Sequence, residues 1–102
     1  MPSRDPLPPA AVDEALAPLG GWRQQAADGE SLIERRFEFG DFREAFAFLT
    51  RVAFEAEALD HHPEIGNVYN QVTLRLSTHD AGNRVTETDL VMAQRIDALL
   101  SS

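Results

Sequence analysis

The sequence predicts an α+β domain in which an antiparallel four-stranded sheet carries helices on one face, in the order α-β-β-α-β-β-α. Three observations predict it. Stretches of period-two alternation are interleaved with stretches of helical spacing; the dipeptide Asp28-Gly29 supplies a hairpin turn; and the alternation leaves one sheet face apolar while the other carries Tyr, Thr, Arg and His. A chain of 102 residues has room for one domain, large enough to bury a core without disulfides or a structural metal. Residues 1–10 read as a flexible Pro-rich arm, and residues 11–102 as the single domain.

Val12, Leu16 and Leu19 recur at helical spacing and Gly20-Gly21 supplies a stop, so a short first helix ends just before Trp22, with Pro18 disturbing its last turn. From Trp22 to Phe39 the pattern alternates, with Ile33, Phe37 and Phe39 on one side and Glu34, Arg36 and Glu38 on the other. Asp41 is an N-cap with Glu44 three residues on, and Phe42, Phe46, Leu49, Val52, Ala53, Ala56 and Leu59 form an apolar stripe along a second, longer helix. That helix ends near His62, because Pro63 disfavours the α conformation in the residue before it. A Gly66-Asn67 turn leads into a strand with Val68, Val72, Leu74 and Leu76 on the apolar face, Asn70 being its polar exception. Asp80 to Asn83 has turn composition, a short strand follows around Arg84 and Val85, and Thr86 caps a third helix carrying Leu90, Ala93, Ile96 and Leu100.

Composition narrows the chemistry. Seventeen acidic against nine basic side chains give a net charge of -8, which repels phosphate backbones and anionic lipid, so neither nucleic acid nor a membrane surface is an expected partner. No apolar run approaches the roughly 18 residues of a membrane span. The amino end lacks the apolar stretch of a secretion signal, and the cytoplasm is the expected location. With no cysteine in the chain, thiolate catalysis, zinc ribbons and iron-sulfur clusters are excluded.

All three histidines fall between positions 61 and 79. Glu57 precedes His61 by four residues, which on a continuing helix places its carboxylate beside the imidazole to orient it. The negative end of the helix dipole favours imidazolium at His61, so it is expected to donate a proton near neutrality. Pro63 forces His62 toward an extended conformation, so the adjacent rings diverge and face a ligand from two sides. His79 lies at the end of its strand on the same face as Ser77 and Arg75, and the three rings converge if that strand end lies beside the helix end. Asp89 stands three residues after Thr86, where a capping carboxylate belongs, so a structural role competes with a catalytic one. A zinc site is the other enzymatic reading, but adjacent His61 and His62 do not easily reach one ion and no His pair lies four apart on a helix.

Glu57, a three-residue gap, His61-His62-Pro63, then Tyr69, His79 and Asp89 together resemble the signature of the pterin-4a-carbinolamine dehydratases. Leu19-Gly20-Gly21-Trp22, Phe37-Glu38-Phe39 with Phe42, and Val52-Ala53-Phe54-Glu55-Ala56-Glu57 resemble the same family, so the likeness runs from about residue 12 to about residue 100. One departure is Ile65-Gly66, where family members often carry an aromatic residue. The resemblance implies dehydration of a 4a-hydroxytetrahydropterin to the quinonoid dihydropterin, a step that recycles the cofactor of aromatic amino acid hydroxylases and needs neither metal nor redox cofactor. It further implies His61 and His79 as proton donors, His62 as the residue that positions the pterin and serves as base, Glu57 as the orienting carboxylate, and Asp60, Ser77 and Thr78 as contacts to the pterin edge. Homodimers or homotetramers are implied as well. The family also includes a dimerisation cofactor of a homeodomain transcription factor, so a protein-interaction module without turnover is the alternative of a different class.

Overall fold

A computed structural model describes residues 1–101. Its elements are α1 (Pro9–Leu16), β1 (Arg23–Ala27), β2 (Glu30–Glu38), α2 (Phe42–Leu59), β3 (Glu64–Val68), β4 (Gln71–Leu76) and α3 (Glu87–Leu99), with 3-10 turns at Ala17–Leu19 and His79–Ala81. The sheet runs β1-β2-β4-β3 and every neighbouring pair is antiparallel, so the expected α+β class and sheet hold. Asp28 and Gly29 join β1 to β2 with φ of 55° and 79°, the paired positive values that a two-residue hairpin turn requires.

Alternation sorts the sheet into two faces. Ile33, Phe37, Val72, Leu74 and Leu76 are buried beneath the helices, each aliphatic among them contributing roughly 1.5–3 kcal/mol. On the opposite face Arg75 donates to Glu34 at 2.5 Å and to Glu64 at 3.4 Å. The hydrogen bond and charge of Glu34, with a smaller contribution from Glu64, raise the Arg75 guanidinium above its ordinary value.

α2 begins as its cap residues dictate: Asp41 accepts from the Glu44 amide at 2.8 Å, and the Glu44 carboxylate accepts from the Gly40 amide at 2.7 Å. Its buried stripe is Ala45, Phe48, Leu49, Val52, Ala56 and Leu59. Phe48 meets the rings of Phe37 and Phe39 at 4.9 and 5.0 Å. Phe42, Phe46 and Ala53, expected in the stripe, lie on an exposed flank, with Phe42 and Phe46 packed on each other at 5.5 Å. The apolar arc of this helix is wider than the sheet can cover, and apolarity alone does not say which edge is left open.

The second hairpin also departs from expectation. Gly66 and Asn67 lie inside β3, and the turn falls at Tyr69-Asn70, with Tyr69 at φ 51°. That turn resets side-chain parity, so Val68 pairs with Gln71 on the solvent face and is exposed. It also explains Asn70, whose side chain donates to Phe39 O at 2.9 Å while its carbonyl accepts from the Phe39 amide. Around Arg84 there is a single bridge to Thr78 in place of a strand. In α3, Met92, Ala93 and Ile96 are buried, whereas Leu100 lies past the helix end and is exposed.

At the amino end the helix starts at Pro9, earlier than the sequence spacing suggests, because proline at the first helical position needs no amide partner. α1 stops at Leu16 and tightens into a 3-10 turn, since Pro18 has no N–H to continue the ladder. Of residues 1–10, expected as a flexible arm, Pro9 and Ala10 open α1, and Ser3 and Leu7 make contacts with the domain. The Leu7 amide donates to Val85 O at 2.9 Å, and Ser3 O accepts from both the amide and the hydroxyl of Thr88, at 3.2 and 2.9 Å. Leu7 packs half-buried against the core.

Candidate functional site

The site is assembled where α2 ends. Asp60 caps the helix in the left-handed conformation, φ 50° and ψ 48°, which Asp tolerates better than most residues. Its reversal sends the His61 amide back to Ala56 O at 3.0 Å. The helix therefore closes before His61 and not near His62, and the spacing of four between Glu57 and His61 loses its meaning. His61 turns inward toward α3, and it is His62 whose ring comes within 3.8 Å of the Glu57 carboxylate, both side chains being exposed. The expected Glu57–His61 pair is replaced by this looser contact.

The carboxylate that holds His61 belongs to Asp89. His61 Nε2 lies 2.5 Å from Asp89 Oδ1, with His61 5% exposed and Asp89 fully buried. Oδ2 of the same group accepts the Thr78 hydroxyl at 2.8 Å and the Thr86 amide at 2.9 Å. An ionised carboxylate only accepts, so His61 Nε2 carries the hydrogen and Nδ1 is the nitrogen left for chemistry. The competing readings of Asp89 merge: one oxygen caps α3, and the other orients the imidazole.

His79 opens the 3-10 turn after β4 and is exposed, three residues beyond the last strand residue. Its Nδ1 pairs with Asn83 Oδ1 at 3.1 Å, and Asn83 in turn donates to Glu30 Oε2 at 3.1 Å. This loop is tied to β2 through Ser31, whose carbonyl accepts the Ser77 hydroxyl at 2.9 Å and whose amide donates to Asn83 O at 2.9 Å.

These placements bring the three imidazoles to one pocket of about 240 Å³, lined by Arg4, Asp60, His61, His62, Ser77, His79 and Asp80. Asp60 and Ser77 line this pocket. Thr78 does not: it is buried, its hydroxyl serves Asp89 and Thr86, its amide donates to Arg84 O, and its carbonyl accepts from Ala81 and Asn83. Tyr69 sits exposed at the far hairpin turn and lines no part of the pocket. Among the described residues no cluster of three or more His, Asp or Glu has a metal-holding arrangement. A larger cleft of about 530 Å³, bordered by Gln25, Glu30, Leu32 and Glu64, holds no imidazole.

Three residues at the site, Arg4, Asp80 and Asn83, escape sequence reasoning. Arg4 lies in a Pro-rich stretch whose composition marks nothing, yet its Nη2 donates to Leu59 O at 3.2 Å and Asp60 O at 3.0 Å, with Nη1 3.5 Å from His61 Nδ1. Asn83 reads as turn composition, and only its spacing of four from His79 hints at the contact.

Comparisons with known proteins cover most of the chain. The family model described as pterin 4 alpha carbinolamine dehydratase matches residues 5–99. A relative from Opitutus terrae is 46% identical over 93 residues, covering 91% of this chain and 92% of the relative. Another, from Paraburkholderia xenovorans, is 54% identical over 84 residues, covering 82% and 84%. Both are provisionally named pterin-4-alpha-carbinolamine dehydratases. The crystal structure of a transcriptional coactivator/pterin dehydratase from Brucella melitensis superposes with a TM-score of 0.83 at 45% identity, covering 93% of this chain and 98% of that one. A pterin dehydratase-like RuBisCO assembly factor of the alpha-carboxysome has a TM-score of 0.67 at 30% identity, covering 80% and 92%.

Proposed function

The chain belongs to the pterin 4 alpha carbinolamine dehydratase family, and from that premise we propose that it dehydrates a 4a-hydroxytetrahydropterin to the quinonoid dihydropterin. The observation that carries the reading is the convergence of His61, His62 and His79, drawn from two separate stretches of chain, on one pocket. Loss of water from this substrate needs an acid at the departing hydroxyl and a base at the neighbouring ring nitrogen. The C4a–O bond breaks with its electron pair on oxygen, the acid's proton completes water, and the ring nitrogen's proton passes to the base as the C=N bond forms.

In this scheme His61 is the principal acid. Protonated on Nδ1, it is stabilised through Nε2 by the buried Asp89 carboxylate, the arrangement that lets an imidazole gain and release a proton without turning. His79 is the second donor, held by Asn83. His62, exposed at the pocket, positions the pterin and takes the ring-nitrogen proton. Asp60 and Ser77 contact the pterin edge, and Thr78 contributes by fixing Asp89. General acid and base catalysis of this kind supplies about 10² to 10⁴ in rate. We assign this activity to tetrahydrobiopterin recycling, beside an aromatic amino acid hydroxylase in the cytoplasm.

The test is the ultraviolet change as freshly generated 4a-hydroxytetrahydropterin loses water, with wild type, His61→Ala and His79→Ala compared against the spontaneous rate. Acceleration by wild type that falls in each variant supports the proposal. Wild type matching the spontaneous rate overturns it.

A second reading rests on the exposed flank of α2, where Phe42, Phe46 and Phe54 stand 48%, 53% and 72% exposed. Such a surface suits self-association into a dimer or tetramer, or the binding of a partner helix. Binding of a helical peptide by a variant lacking His61 and His79 would favour a role as an interaction module.

A further inference from the structure

Nothing in the reaction described above uses Arg4, yet this residue is fixed in the pocket by contacts from two directions. Ser3 is tied to α3, with its carbonyl on the Thr88 amide and hydroxyl and its own amide 3.3 Å from Glu87 Oε2. Leu7 is tied to Val85 on the other side. Between these anchors Arg4 reaches the end of α2, where Nη2 spends itself on the carbonyls of Leu59 and Asp60. Cationic donors are favoured there by the negative end of the helix. Among the described residues Nη1 has only the 3.5 Å contact with His61 Nδ1, at the outer limit of a hydrogen bond.

That separation has a chemical meaning. Two nitrogens 3.5 Å apart are too far for a good mutual bond and well spaced to share one oxygen lying about 2.8–3.0 Å from each. We infer that Arg4 is a catalytic residue of the dehydration, its Nη1 donating a hydrogen bond to the same departing hydroxyl oxygen that His61 Nδ1 protonates. This rests on the dehydratase reading and adds to it a second donor at the atom where negative charge develops. No proton leaves the guanidinium: the imidazolium supplies the one that makes water, and Arg4 stabilises the oxygen electrostatically while the C4a–O bond breaks. A substrate without the 4a-hydroxyl gives Nη1 nothing to act on.

The experiment compares wild type with Arg4→Met, which keeps the stem and loses the donors, and Arg4→Lys, which keeps a cationic donor. It measures kcat for dehydration and, separately, the fluorescence-monitored affinity for a 7,8-dihydropterin, which lacks the departing hydroxyl. The expected result is a kcat lower by on the order of tenfold in Arg4→Met, below the 10²–10³ of an enclosed oxyanion site because this pocket is open to water. Arg4→Lys recovers part of that loss, and dihydropterin affinity stays within twofold in both. A kcat in Arg4→Met within twofold of wild type overturns the inference and leaves the dehydratase reading standing. Affinity that falls in parallel with kcat also overturns it, because the segment then only builds the pocket wall. Wild type without acceleration sinks the dehydratase reading and this inference with it.

Discussion

His61 and Asp89, 28 positions apart, meet through Nε2 and Oδ1 at 2.5 Å in a setting closed to solvent. Replacing the carboxylate by the isosteric amide in Asp89→Asn puts an NH2 group either where His61 now points or where Thr78 and Thr86 both donate. The dehydration rate is expected to fall about 10²-fold, because the imidazole loses the partner that fixes its tautomer. Unfolding free energy in urea is expected to drop by about 1–3 kcal/mol, the cost of an unsatisfied buried group.

Thr78→Val removes a hydroxyl that serves Asp89 and Thr86 without altering the pocket lining. A loss of about 1–2 kcal/mol in stability and a several-fold lower rate are expected. In a double-mutant cycle with Asp89→Asn the two effects should fall well short of adding, since both act on one network. Additive losses would mean that Thr78 works elsewhere.

Glu57→Gln is expected to leave the rate within about twofold, because the carboxylate is exposed and its ion-pair partner among the described residues is the exposed His62 at 3.8 Å. A loss as deep as that of His61→Ala would restore the helical pairing suggested by the spacing of four.

Asp60 occupies a left-handed turn, and the backbone cost there depends on the side chain. Asp60→Gly should be neutral or stabilising by up to about 1 kcal/mol, whereas Asp60→Val should cost about 1–2 kcal/mol. Chemical denaturation of the two variants checks the sign.

Exhaustive chelation is expected to leave the dehydration rate unchanged. His61 Nε2 is committed to Asp89 and His79 Nδ1 to Asn83, which leaves the rings poorly arranged to close on one ion. Activity that disappears with chelator and returns with zinc would reverse this.

The parts of the fold legible in the sequence are those set by neighbours a few residues apart. The turn at Asp28-Gly29, the Asp41 cap and the buried alternation of Val72, Leu74 and Leu76 all depend on short spacings and appear as expected. Tertiary context decides the rest. A turn at Tyr69-Asn70 exists because Asn70 bonds across to Phe39, 31 residues earlier, and no local pattern reports that. The same holds in the site. The histidine spacing marks the three imidazoles, but a left-handed Asp60, which no helical wheel anticipates, exchanges the partners so that Asp89 takes His61 and Glu57 is left to His62.

The attachment of Ser3 to Thr88, with Arg4 beside the imidazoles, has a practical side. An affinity tag joined ahead of Met1 pulls on a strap only a few residues from the pocket, and a bulky or charged tag competes with Glu87 for the Ser3 amide. Rates measured on such a fusion would report the tag as well as the protein, and cleaved or carboxy-terminally tagged protein is the fair material for assay.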